Sequence, residues 1–159
     1  MTAPPAIAEP LLTADAVRTD VPAATKKALF AQFGAIARDV HGLDAELVTE
    51  RLAAREKLGS TGFGGGVAIP HAKLPGLPRV VALLIRLSQP IEFRAVDGSP
   101  VDLALALLSP SDAGAEHLKA LARVSRRLRD PAFVAKLRGA GSRDALFALW
   151  AEGEARDAA

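Results

Sequence analysis

The chain has 159 residues, of which 50% are hydrophobic and 24% are charged, a balance that predicts one globular domain with an apolar core. It contains no cysteine, which excludes disulfides, thiolate metal sites and a cysteine nucleophile. Its formal net charge of +2 is too small for a strongly basic surface, so we expect no nucleic-acid partner.

Membrane insertion is not expected either, because no apolar run approaches the roughly 18 residues that span a bilayer. Residues 1–10 are rich in Ala and Pro and lack the basic region and apolar core of a signal peptide. We expect them to form a disordered leader. These features favour a cytoplasmic protein. The predicted domain spans residues 11–150, and residues 151–159 are expected to be a flexible charged tail.

Apolar spacing predicts two consecutive helices near the start of the domain. The apolar pair at 11–12 is a candidate short strand. Apolar residues then recur at helical spacing from 23 to 40, and Gly42 is the expected C-cap. Asp44 is a good N-cap for a second helix that ends near Lys57.

Strands and further helices follow. Apolar stretches predict strands at 67–71, 80–87, 91–93 and 101–108, with a hairpin turn at Asp97-Gly98. Helices are predicted from a cap at 111 or 112 to 129, from 131 to 138 and from a cap at 142 to 150. The arginines of the first of these, at 123, 126, 127 and 129, are expected on a solvated face. The fold class is α/β, a single domain with one sheet and helices on both faces.

The densest motif is a glycine-rich loop that leads to a histidine. Five glycines fall between 59 and 66, beside Ser60 and Thr61, and a short apolar strand then ends at Pro70-His71. A neutral imidazole is a competent nucleophile near pH 7. Backbone N–H groups of the glycines and the two hydroxyls are suitable donors for phosphoryl oxygens. The sequence therefore predicts that His71 carries a phosphoryl group, with a surface histidine beside a simple turn as the alternative.

Other site types fit the residues less well. The glycine motif lacks the third glycine of a dinucleotide-binding fingerprint, because Val67 occupies that position, and it precedes a strand where the fingerprint opens a helix. No Gly-Lys-Ser/Thr sequence follows, so no ATP phosphate loop is predicted. A metal site at His71 and His117 lacks an obvious third ligand and stays a minor alternative.

The sequence Ser-Thr-Gly-Phe-Gly-Gly-Gly-Val-Ala-Ile-Pro-His at 60–71, preceded by Arg-Glu-Lys at 55–57, resembles a known signature. It is similar to the active-site signature of phosphotransferase-system enzyme IIA domains of the fructose/mannitol type (type 2), and most similar to the stand-alone nitrogen-regulatory members. The resemblance extends from about Leu11 to Trp150. It implies a mixed β-sheet and a phosphoryl carrier that needs no cofactor and no metal.

The resemblance also implies roles for particular residues. His71 is the expected phosphoryl acceptor, His117 faces it and orients the phosphoryl group, and Arg55 stabilises the phosphate charge. Without the resemblance, His117 would be an exposed helix histidine, and Arg55 would complement a helix dipole. The expected phosphate-binding loop comprises Ser60, Thr61, Gly62 and Gly64. Two positions depart from many family members, with Gly65 in place of Asn and Ala72 in place of Gly.

Three functions are consistent with the sequence. The first is a phosphorylation-state regulator of nitrogen, potassium or carbon balance. Its donor is a phosphohistidine carrier, HPr or its nitrogen-branch analogue, and its targets are regulated proteins. The second is the sugar-specific IIA component of a fructose/mannitol-type uptake system, which passes phosphate to a IIB component. The third is a regulatory binding protein that does not depend on phosphate.

Overall fold

The computed structural model describes residues 10–158, with side chains up to 156, so most of the predicted leader lies outside the described residues. No helix within this part of the chain is long and apolar enough to cross a membrane. The helices are α1 (Lys26–His41), α2 (Ala45–Lys57), α3 (Gly114–Leu128), α4 (Pro131–Gly139) and α5 (Arg143–Ala158). The strands are β1 (Val17–Val21), β2 (Gly62–Gly64), β3 (Val67–Ala68), β4 (His71–Leu74), β5 (Val81–Ile91) and β6 (Val101–Pro110).

The six strands form one mixed sheet, with the order β1-β5-β6-β3-β2 and with β4 also paired to β6. β5 and β6 run antiparallel to each other, whereas β1 pairs with β5, and β3 and β4 pair with β6, in parallel. The antiparallel pair follows from the predicted turn near Asp97, where Gly98 donates its N–H to Ala95. The expected α/β fold with a mixed sheet is confirmed.

The core is centred on β5 and β6. Successive side chains of a strand point to opposite faces, and residues 81–85 and 103–109 are buried without interruption. Both faces of the central sheet are therefore covered, as the continuous apolar runs predicted. Trp150, Phe30, Phe33 and Phe93 are among the largest fully buried side chains.

α1 and α2 form a packed pair that leads the chain to the site. Gly42 ends α1 in the left-handed conformation, with φ of 67°, and the Asp44 side chain accepts the N–H of Leu47 at the start of α2. Both predicted caps are confirmed. A Cβ at Gly34 would lie 2.5 Å from the carbonyl oxygen of Ala45, so the close approach of the two helices requires glycine there.

The glycine-rich loop is a hairpin between β2 and β3. Gly65 and Gly66 form its turn and have φ of 67° and 79°, which is the geometry of the tight turns that suit a twisted hairpin. Gly65 donates its N–H to Asp97 and accepts a hydrogen bond from Arg138. Arg138 also binds Asp102 of β6 through two of its nitrogens. It therefore connects the tip of the hairpin to β6.

Several predicted boundaries near the sheet are wrong. β1 was not predicted, because its residues 18–20 are polar, and the candidate strand at 11–12 is not a strand. The stretch 67–71 is divided into β3 and the start of β4. The N-cap of α3 is Ala113, which forms no side-chain cap bond and lies one or two residues after the predicted cap.

Residues 151–158, for which a flexible charged tail was expected, are helical, because α5 continues through them. Glu154 explains this extension: its carboxylate accepts hydrogen bonds from the Leu11 N–H, the Arg123 guanidinium and the Trp150 indole. Arg127, expected on a solvated face, is buried instead. It donates to the Trp150 carbonyl at 2.6 Å and lies 3.9 Å from the Trp150 ring.

Candidate active site

His71 is the first residue of β4 and lies at the edge of a cleft between α2 and α3. The parallel register of β4 and β6 places His71 opposite Leu107, and the carbonyl of Pro70 accepts the Leu107 N–H. These bonds fix the backbone at the histidine while its ring stays half-buried. The structure thus holds the side chain firmly and leaves one side of it open to a partner.

Both ring nitrogens of His71 have a defined hydrogen bond. Nδ1 lies 2.9 Å from the carbonyl oxygen of Ile69. Because a carbonyl only accepts, Nδ1 carries the proton of the neutral ring. Arg55 donates its Nε–H to Nε2 of His71 across 3.1 Å. Nε2 is therefore the unprotonated nitrogen, and its lone pair is directed toward the cleft and the guanidinium.

His117 lies across the cleft on the second turn of α3. Its ring centroid is 5.5 Å from that of His71, with a tilt of 51° between the planes. Its Nδ1 is 2.6 Å from the hydroxyl oxygen of Ser109, a fully buried residue near the end of β6. His117 itself is only 8% exposed, so the alternative of an ordinary exposed helix histidine does not describe it.

The surroundings keep both rings neutral. Burial lowers the pKa of His71 below 6.5, and the positive charge of Arg55 lowers it further, against an opposing effect of the bond to Ile69. Burial also lowers the pKa of His117, with smaller contributions from His71 and Lys73. A lowered pKa keeps the lone pair of His71 available at and somewhat below neutral pH.

The cleft is strongly cationic. It has a volume of about 420 Å³ and is lined by Arg51, Arg55, His71, Ala72, Lys73 and His117. Arg51 lies one helical turn before Arg55 and donates to the backbone carbonyl of Lys73 at 3.1 Å. Three permanent cations and no carboxylate among these lining residues make the cleft suited to a multiply charged oxyanion.

Metal ligation is not suggested by the geometry. Across residues 10–158, no three or more His, Asp or Glu side chains come together as a metal site would need.

The four residues of the expected phosphate-binding loop lie elsewhere. Ser60, Thr61, Gly62 and Gly64 are all described by the structure and are not among the residues that line the cleft. Thr61 donates both its N–H and its hydroxyl to the carboxylate of Glu56, and Gly62 donates its N–H to the Ser60 hydroxyl. In this structure these donors are engaged by other groups of the protein, and a phosphate-binding role of the four residues stays a prediction.

Glu56 links this loop to the cleft. Its buried carboxylate also accepts from Lys26 at 2.9 Å, and it follows Arg55 directly in the chain. The Arg55 guanidinium in turn donates to the carbonyl of Gly59 at 2.9 Å. The loop thus supports Arg55 from behind the cleft, a role that the sequence analysis assigned to no residue.

Comparison with known proteins decides the family. The model of the phosphoenolpyruvate-dependent sugar phosphotransferase system EIIA 2 family matches residues 10–152. The chain belongs to this family. Enzyme IIA domains are phosphotransfer components of that system, and the type-2 resemblance of residues 55–71 is confirmed.

Individual relatives of this enzyme IIA point in the same direction. It is 43% identical over 141 residues to a nitrogen regulatory protein of Bradyrhizobium diazoefficiens, covering 89% of this chain and 92% of the relative. The crystal structure of nitrogen regulatory protein IIA-Ntr from Neisseria meningitidis is 36% identical, with a TM-score of 0.81 over 87% of this chain and 95% of that one. Enzyme IIAMTL of Escherichia coli, in complex with phosphorylated enzyme IIBMTL, shares the fold at 19% identity, with a TM-score of 0.73 over 89% of this chain and 99% of that one.

Sequence reasoning missed three residues of this IIA site. Arg51 could have been found from its i, i+4 spacing to Arg55, and Lys73 from strand alternation with His71. Ser109 is the one hydroxyl at the end of a long apolar strand, and a buried hydroxyl needs a partner. The identity of that partner, His117, depends on the tertiary fold.

Proposed function

We propose that this enzyme IIA is a phosphoryl carrier whose acceptor is Nε2 of His71. The observation that carries the proposal is the bond from Nδ1 to the Ile69 carbonyl, because it leaves Nε2 as the nitrogen with a lone pair. That lone pair faces a cleft with three cationic side chains. A carrier of this type alternates between a free and a phosphorylated histidine and so divides one transfer into two near-balanced steps.

The transfer balances without a separate acid or base. The Nε2 lone pair of His71 attacks the phosphorus of a phosphohistidine on the donor protein, and a new N–P bond forms. The donor N–P bond breaks and its electron pair returns to the donor ring, which leaves as neutral imidazole because its other ring nitrogen carries a proton. His71 keeps its Nδ1 proton, which the Ile69 carbonyl accepts throughout, so the phosphorylated ring carries a positive charge beside the phosphoryl oxygens.

Arg55 and His117 are the proposed partners of those oxygens. Arg55 contacts Nε2 before transfer, so a small shift would move its N–H groups onto a phosphoryl oxygen bound there. His117 approaches from the opposite side of the cleft and is neutral, so it can donate one hydrogen bond without competing as a charged base. Arg51 and Lys73 add positive charge at the rim, where an incoming phosphate first arrives.

The proposed biological role is regulatory. Proteins similar to this chain over nearly their whole length are named nitrogen regulatory proteins. We infer that a phosphohistidine carrier, HPr or its nitrogen-branch analogue, supplies the phosphate, and that the state of His71 controls binding to regulated proteins in nitrogen, potassium or carbon balance. A phosphate of about two negative charges would largely offset the positive charge of the cleft, and such a change in local charge suits a switch.

The test is intact-mass measurement after incubation with phosphoenolpyruvate, enzyme I and each candidate carrier. Wild type is expected to gain one acid-labile phosphate, His71→Ala none, and His117→Ala the same gain at a lower rate. No gain by folded wild-type protein with either carrier would contradict the proposal and favour a binding protein that works without phosphate. A gain that survives His71→Ala would show that the acceptor is misassigned. Transfer onward to a IIB component would favour the sugar-uptake role over the regulatory one.

A further inference from the structure

Ser109 occupies a position where a polar side chain is costly. It is fully buried near the end of β6, opposite Lys73 of β4, and the six residues that precede it, 103–108, are apolar and buried. Burying a hydroxyl is unfavourable unless it forms a hydrogen bond. The bond that Ser109 forms is to Nδ1 of His117, at 2.6 Å. The residue that faces the phosphoryl acceptor is therefore held from behind by a buried hydroxyl.

The direction of this bond can be derived from the surroundings of Ser109. Within the part of the chain that the structure describes, His117 Nδ1 is the only hydrogen-bond partner of the Ser109 hydroxyl. A buried hydroxyl has one proton, and that proton goes to the acceptor at hand. If Nδ1 were protonated, the hydroxyl would accept and its own proton would have no partner. Ser109 therefore donates, and the proton of neutral His117 is on Nε2.

We propose that Ser109 is a positioning residue for phosphoryl transfer: it fixes His117 as the Nε2–H tautomer, so that a donor faces the phosphoryl group on His71. This inference rests on the proposed function of His71. The opposite tautomer would present a lone pair to the negatively charged oxygens and would repel them. Ser109 thus acts only through His117 and does not line the cleft itself.

The hydrogen bonds at Nδ1 of His71 and Nδ1 of His117 leave the Nε2 atoms of the two rings in opposite states. At His71 a backbone carbonyl takes the Nδ1 proton and leaves Nε2 as the lone pair. At His117 a hydroxyl occupies Nδ1 and leaves Nε2 as the donor. One ring is prepared to form the bond to phosphorus, and the other to bind an oxygen of the same group. Burial, which lowers the pKa of both rings, keeps this arrangement in the neutral state that it requires.

The first experiment reads the tautomer in the unphosphorylated protein. Histidine ring nitrogens are observed by ¹⁵N NMR at about pH 7.5, where both rings are neutral. Wild type is expected to show His117 with a protonated Nε2, and Ser109→Ala a mixture of tautomers. Ser109→Thr, which keeps the hydroxyl, is expected to restore the wild-type pattern. Ala106→Gly, a buried change on the same strand, controls for a general effect of packing on β6. A protonated Nδ1 at His117 in wild type, or an unchanged pattern in Ser109→Ala, would overturn the proposal.

The second experiment measures the rate of phosphorylation of the same variants. Losing a single oriented donor predicts a rate about tenfold lower in Ser109→Ala, with the mass gain still on His71. Ala106→Gly is expected to transfer at the wild-type rate. A rate in Ser109→Ala equal to that of wild type would overturn the positioning role. Failure of wild type to gain phosphate would contradict the proposed function of His71 and, with it, the transfer role of Ser109, while the tautomer measurement would still decide whether Ser109 sets the state of His117.

Discussion

Arg55 donates a hydrogen bond to Nε2 of His71, so the cation that would bind the phosphoryl group already contacts the nucleophile in the free protein. The same guanidinium donates to the Gly59 carbonyl at 2.9 Å, which fixes its orientation at the end of α2. A preoriented cation needs little reorganisation when charge arrives, and preorganisation of this kind is a large part of electrostatic catalysis.

Replacing Arg55 is expected to slow phosphoryl transfer more than it affects folding. Arg55→Ala removes the donor to Nε2 and should lower the phosphorylation rate by about 100-fold. Arg55→Lys keeps the charge but not the fork of donors that reaches Nε2 and Gly59 together, so we expect a loss of about tenfold. Single-turnover phosphorylation followed by mass spectrometry measures both. Lys57→Ala, in the same turn but exposed, is the matched control, and an equal loss there would contradict a specific role for Arg55.

Glu56 is expected to be important for stability because it organises the loop behind the cleft. Glu56 is 9% exposed, and its carboxylate accepts hydrogen bonds from the Thr61 N–H, the Thr61 hydroxyl and Lys26. Glu56→Ala leaves these donors without their acceptor and should cost about 3 kcal/mol of the free energy of unfolding in urea. Thr61→Val, which removes one bond, should cost about 1 kcal/mol. Glu50→Ala on the exposed face of α2 should change stability little, and a Glu56→Ala protein as stable as that control would refute this account.

Acidification below about pH 6.5 is expected to destabilise the protein through its three histidines. The pKa values of His41, His71 and His117 all lie below 6.5 in the folded state, chiefly because of burial. The unfolded chain therefore binds more protons once the pH falls below 6.5, and the free energy of unfolding decreases from there down to the folded pKa values. Well above 6.5, where folded and unfolded chains are both deprotonated at these groups, they contribute no pH dependence.

Urea denaturation at about pH 7.5 and about pH 5.5 measures this effect. The midpoint should be lower at the acidic value, and replacing the three histidines by glutamine should reduce the difference. His41→Gln alone, which leaves the cleft intact, shows how much of the effect arises outside it. A midpoint that is constant or higher at the acidic pH would contradict the neutral state assigned to both cleft histidines.

The C-terminal turns of α5 are expected to stabilise the domain. Glu154 connects Leu11, Arg123 and Trp150, and its side chain is 12% exposed. Glu154→Ala should lower the free energy of unfolding by about 1 kcal/mol. The loss is modest because Arg123 is partly exposed and solvent screens its ion pair with Glu154. Glu152 is exposed and lies two residues before Glu154, on another face of α5, so Glu152→Ala should have no effect. Thermal unfolding of both variants distinguishes a packed helix end from a free tail, for which the two would behave alike.

Much of the fold can be predicted from local signals. α1 and α2 follow from apolar spacing and from the caps at Gly42 and Asp44, and the two central strands from long apolar runs that have no other stable environment. β1 is different, because it lies at the sheet edge with a polar middle, and only its pairing with β5 makes it a strand. The end of α5 likewise depends on Glu154, whose contacts are distant in sequence.

The candidate site divides in the same way. His71 and Arg55 stand in an ordered signature, and His117 follows from the resemblance that this signature carries. The buried face of α3 does not follow from its leucines: Leu118 is 66% exposed, whereas the neighbouring His117 is buried. Glycine spacing predicted a tight loop correctly but not the partners of its donors: the buried Glu56 accepts from Thr61, and the exposed Asp97 accepts from Gly65. Which hydrogen bond a buried donor forms is decided by packing that no short motif contains.

The most direct test of the central claim is ³¹P–¹⁵N correlation NMR of the phosphorylated protein with ¹⁵N-labelled histidine. Because Ile69 holds the Nδ1 proton, phosphorus is predicted to couple to Nε2 of His71 and to no other ring nitrogen. A coupling to Nδ1 of His71, or to a nitrogen of His117, would contradict the assignment of the nucleophile.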